Sequence, residues 1–80
     1  MITLIIPTTD FRDKLLDRAL SYYSKFSVKI IVVDGSKNRK KIRYKNVQYF
    51  HNPGISLEQR LLMAVKKIPD NFILISQDDD

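Results

Sequence analysis

The sequence predicts an α/β fold: a Rossmann-like parallel sheet with helices on both faces. Three observations predict it. The runs ITLIIP (2–7), VKIIVVDGS (28–36) and FILIS (72–76) are largely apolar rather than alternating, as in strands covered on both sides. Two stretches between these runs carry apolar residues at helical spacing. Strand and helix patterns also alternate along the chain, as parallel crossovers require.

The first run is rich in β-branched residues and is ended by Pro7. Thr9 or Asp10 can cap the helix that follows, in which Phe11, Leu15, Ala19, Tyr22 and Phe26 form one apolar face to about residue 26. The second strand, 28–36, contains the turn pair Asp34-Gly35. A basic connector leads to a weaker strand, VQYF (47–50), and HNPG (51–54) breaks it. Ser56 and Gln59 fit a capping box and open the second helix. Its stripe is Leu57, Leu61, Ala64, Val65 and Ile68, and Pro69, Asp70 and Asn71 stop it. FILIS is the last strand and is expected to be buried. The expected order is third, second, first, fourth strand. Right-handed crossovers then put the two helices on opposite faces.

Eighty residues make one small domain, 1–80, and 44% hydrophobic with 29% charged residues is globular rather than disordered composition. The absence of cysteine excludes disulfides and thiolate metal sites, and His51, the single histidine, cannot build a zinc site alone. ITLIIP is too short for a signal-peptide core or a membrane span, so a soluble cytoplasmic protein is expected. The net charge of +5 is unevenly spread: Lys37, Arg39, Lys40, Lys41, Arg43 and Lys45 all fall in KNRKKIRYK. This stretch reads first as a solvated connector. Its second reading is a patch for phosphates, acidic lipid or nucleic acid.

The acids are more telling. Asp10 follows the first strand, Asp34 lies at the end of the second, and Asp78, Asp79 and Asp80 follow the last. In a parallel sheet these positions share the C-terminal edge, where α/β proteins bind ligands. Three adjacent carboxylates repel one another unless something positive sits among them. Clustered aspartates suit a hard divalent cation, Mg²⁺ or Mn²⁺, which neutralises charge building up on a phosphate leaving group. The pattern therefore points to a diphosphate ligand.

IIPTTDFRDKL, IIVVDGS, LEQRLLMAV and the closing DDD, in that order, resemble the N-terminal half of a GT-A glycosyltransferase close to family 2. The resemblance covers essentially all 80 residues. It implies a truncated GT-A fold that binds a nucleotide-diphosphate sugar, a UDP-sugar in the first instance, through a divalent metal. The acceptor is unknown: a glycan, a lipid or a protein. Asp34 would accept a hydrogen bond from the nucleobase, with Pro7 and Thr8 beside the base and ribose. Arg60 would approach the nucleotide or its diphosphate. Asp78 would contact ribose and metal, Asp80 would ligate the metal directly, and Asp79 would tune the charge of the donor site. Two departures stand out: the turn after the second strand is one residue shorter than usual, and Leu61 follows Arg60 where the family has Asn. Family members continue past this motif, and a general base is expected beyond Asp80. The chain therefore reads as a donor-binding fragment, inactive by itself.

The rival functions are a module binding nucleic acid or acidic lipid through 37–45, and a phospho-receiver-like domain. The receiver needs paired acids after the first strand, where this chain has Pro-Thr-Thr. The donor reading expects no nucleic-acid partner, and it allows peripheral contact with an acidic membrane through 37–45. Blander roles are assigned elsewhere. Asp13 and Asp17 suit the early turns of a helix. His51 reads as a loop residue, and Tyr22, Tyr23, Tyr44 and Tyr49 as packing.

Overall fold

A computed structural model describes residues 2–67 and 71–74. The elements are β1 (Thr3–Thr8), α1 (Asp13–Tyr23), β2 (Lys29–Asp34), β3 (Val47–His51), α2 (Leu57–Val65) and β4 (Phe72–Leu74). The four strands form one all-parallel sheet, with neighbours in the order β3-β2-β1-β4. The architecture is α/β and compatible with a Rossmann-like fold.

Apolar runs without alternation belong in the middle of such a sheet, because successive side chains point to opposite faces. Leu4, Ile6, Ile30 and Val32 pack with Leu16 and Leu20 of α1 on one face. Ile5, Ile31 and Val33 pack with Ala64 of α2 on the other. The two helices therefore cover opposite faces. Among the described residues, β1 pairs with β4 over Thr3–Ile5 and with β2 over its whole length. After β3, Gly54 takes φ +80°, a left-handed conformation open to a residue without a Cβ.

Several expectations are corrected. The first helix starts at Asp13 and ends at Tyr23, not near 26. Its N-cap is Arg12, with no side-chain cap bond from Thr9 or Asp10. Phe11 stands outside the helix with φ +66° and is fully exposed. That left-handed residue turns the chain before the helix begins, so the helix takes a different phase. The buried positions are Leu16 and Leu20, flanked by Ala19 and Tyr23, whereas Tyr22 and Phe26 are exposed and stack edge-to-face with each other. The second strand spans only Lys29–Asp34 of the expected 28–36. In α2, Ser56 caps as expected, its hydroxyl accepting from Gln59 N at 3.3 Å. Leu57 is exposed, however, so the stripe narrows to Leu61, Ala64 and Val65. Ile68 lies outside the described residues. Phe72, Ile73 and Leu74 are all exposed, because β4 is an edge strand over which the described helices do not reach.

Candidate functional site

The C-terminal ends of β1 and β2 meet in register, Pro7 opposite Val33 and Thr8 opposite Asp34. The pairing continues one step further, Gly35 N donating to Thr8 O at 3.0 Å. β3 extends the same edge, with Asp34 opposite His51 and Asn52 N donating to Asp34 O at 2.8 Å. α2 brings Arg60 over this edge. Its guanidinium lies so close to Gly35 that a Cβ there would overlap Nη1 and Cζ. A side chain there would have to push the arginine's flexible end aside. Arg60 Nη1 donates to Ile55 O at 2.7 Å, which ties the side chain back to the loop that precedes its own helix.

Thr8, Asp34 and Arg60, far apart in sequence, are thus brought together beside Gly35. Two polar atoms in this group are buried without a partner among the described residues: Thr8 Oγ1 and Arg60 Nε. Orphaned buried polar groups are rare, because each forfeits its bonds to water. Beside Arg60 opens a pocket of about 120 Å³ lined by Val33, Phe50, Asn52, Met63, Ala64 and Lys67. Lys67 Nζ sits 4.2 Å above the Phe50 ring. Pockets for whole drug-sized ligands run to roughly 300–1,000 Å³. This one admits a single ring or a phosphate, not a complete nucleoside diphosphate.

Asp34 is the most tightly held of these residues. It is fully buried. Oδ1 accepts from Ser36 N at 2.8 Å and from the Ser36 hydroxyl, and Oδ2 accepts from the Tyr49 hydroxyl. As folded, the carboxylate serves its own turn and β3 rather than solvent. Burial, then the bond to Asp34, pushes the Tyr49 phenol up to about 12 against the opposing effect of a backbone N–H from Lys40. Ser36 O in turn meets His51 Nε2 at 2.9 Å.

The sequence reads Tyr49 as packing and His51 as a loop residue, but both are part of this network. The signal available in the sequence was period two: Tyr49 and His51 share a face of the third strand and stack almost parallel, 7° apart. Which of the four tyrosines would meet Asp34 was set only by the β2–β3 register.

The basic connector is half absorbed by the fold. Lys40 Nζ pairs with Asp13, and Arg39 lies over the Tyr49 ring at 4.9 Å. Ile42 and Tyr44 pack against the α1-side core. Asp10 accepts from Lys37 N at 3.2 Å. Between α1 and this connector runs a cleft of about 610 Å³, with Leu16, Leu20 and Ile42 among its lining and Asp10, Asp17, Lys41 and Arg43 among its charged groups.

Asp78, Asp79 and Asp80 lie outside the described residues. Among the described residues, no group of three His, Cys, Asp or Glu side chains is placed to hold a metal ion. No helix of the described residues is long and apolar enough to cross a membrane. Comparison with protein families, with curated proteins and with solved structures finds no match for this chain.

Proposed function

We propose that this chain is the donor-binding half of a glycosyltransferase with a truncated GT-A fold, taking a nucleotide-diphosphate sugar at the C-terminal edge of its sheet. One observation carries the reading. Pro7, Thr8, Gly35 and Arg60 converge where parallel α/β sheets bind ligands, and two buried polar atoms there have no partner among the described residues. A guanidinium suits a phosphate, since its fork donates two parallel bonds. Asp34 holds the turn that carries Gly35 and would accept a hydrogen bond from the base. When bound, Mg²⁺ or Mn²⁺ supplies charge neutralisation on the diphosphate. Asp78 and Asp80 would hold the ion, with Asp79 adding charge. The acceptor would be a glycan, a lipid or a protein.

The anionic-surface reading of 37–45 has less support, because Arg39 and Lys40 are committed to Tyr49 and Asp13.

The test is titration of UDP into the ¹⁵N-labelled chain, with and without Mg²⁺. The amides of Thr8, Gly35 and Arg60 are expected to shift, and more strongly with the metal. Absence of binding, or binding indifferent to Mg²⁺, would reject the donor reading.

A further inference from the structure

Tyr49 joins two parts of the molecule with opposite charge. Its hydroxyl donates to Oδ2 of the buried Asp34 and accepts the Lys40 N–H at 2.8 Å. Its ring carries the Arg39 guanidinium. The segment between is moored at its other end by Ser36, whose N–H and hydroxyl both go to Asp34 Oδ1 and whose carbonyl meets His51. One carboxylate therefore anchors the start of the basic loop directly and its middle through a single phenol.

The three bonds to Asp34 are not equally easy to break. The two from Ser36 are local, formed two residues along the same turn, and breaking them would unmake the turn. The Tyr49 bond spans from another strand and ends on the one carboxylate oxygen that Ser36 does not use. A ligand N–H that approaches Asp34 would therefore displace the phenol before it displaces Ser36. Once the phenol moves, Lys40 N loses its acceptor as well.

We propose that Tyr49 is a positioning residue that latches the basic loop 37–45 to Asp34, so that a nucleobase N–H taking the Asp34 carboxylate releases the loop. The ligand half of this proposal rests on the donor reading above; the latch itself does not. Released, Arg39 loses the ring beneath it and becomes available to an anionic group, the diphosphate of the same donor in the first instance, while Lys40 Nζ stays with Asp13. The site would then report on the base before committing this cation, which couples recognition of the base to capture of the phosphate.

Two measurements test it. The first needs no ligand: amide hydrogen exchange, read by NMR, in wild type and Tyr49→Phe. The variant keeps the ring and so the Arg39 stack, and removes only the hydroxyl. Exchange of the Lys40 amide should rise several-fold, roughly the worth of one hydrogen bond between neutral groups, while amides of β1 and β2 stay protected. Equal protection of Lys40 in both proteins would overturn the latch.

The second adds UDP to both proteins with Mg²⁺. In wild type, UDP should speed exchange of the Lys40 amide, and Tyr49→Phe should bind UDP several-fold more tightly because its latch no longer competes. UDP binding that leaves Lys40 protected, or that weakens in Tyr49→Phe, overturns the coupling alone. Binding to neither protein rejects the donor reading and the ligand half of the proposal, and the exchange result for the latch is then judged by itself.

Discussion

A phenol that donates to a buried carboxylate titrates late, and Tyr49 shows how one side chain ties a site to the stability of the chain. Its pKa is raised from the ordinary 10.0 to about 12, first by burial and then by Asp34. The folded chain holds this proton where the unfolded chain releases it. Above pH 10 the unfolded state thus binds fewer protons, and stability falls as pH rises. The contribution is complete below pH 10 and is lost on the way through about 12. Subtracting the phenolate absorbance titration of Tyr49→Phe from that of wild type should leave one phenol titrating near 12. A difference curve centred at 10 would mean that the Asp34 bond is not formed in solution. Gly35 shows a second residue-scale constraint, since any side chain there meets the Arg60 guanidinium.

At the scale of elements, the first helix shows how a pair of leucines leaves its phase open. Leu15 and Leu16 are both available to face the sheet, and a stripe counted from Phe11 selects Leu15. Phe11 instead adopts φ +66° outside the helix, and α1 turns Leu16 and Leu20 into the core. Replacing Leu16 by Ala should cost about 2–5 kcal/mol, the range for truncating a buried leucine. Leu15→Ala should cost about 1 kcal/mol, near the average of all substitutions. Urea unfolding of both variants checks the assignment, and equal losses would contradict it. The second helix is better specified, because Ser56 and Gln59 fix its start by chemistry rather than by counting.

Across the whole molecule, two cores of unequal cover lie on the two faces of one sheet. α1 contributes Leu16 and Leu20 to its face, while α2 contributes a single fully buried residue, Ala64, to the other. An 80-residue chain buries only about 60–65% of its unfolded surface, so stability is narrow. The edge strand β4 adds exposed Phe72, Ile73 and Leu74. An exposed apolar edge strand is a template for pairing with another chain. The 80-residue protein is therefore expected to self-associate as its concentration rises, and Ile73→Lys should suppress this in light scattering. Association unchanged by the lysine would place the contact elsewhere.

The α/β class and the all-parallel sheet follow from residues alone. Runs such as LIIP and KIIVVD can only be satisfied by cover on both faces, and alternation with helices leaves parallel crossovers as the way to provide it. The convergence of Thr8, Asp34 and Arg60 was likewise legible in part, since strand ends share an edge whenever strands are parallel. What these residues touch was not legible. Asp34 turns inward to Ser36 and Tyr49 because a carboxylate buried at the end of β2 needs donors, and only the register of β3 decides that a tyrosine hydroxyl arrives there. Tertiary structure also decided the phase of α1 and the exposure of β4. Both depend on which surfaces meet, and periodicity along one segment carries no information about its partner.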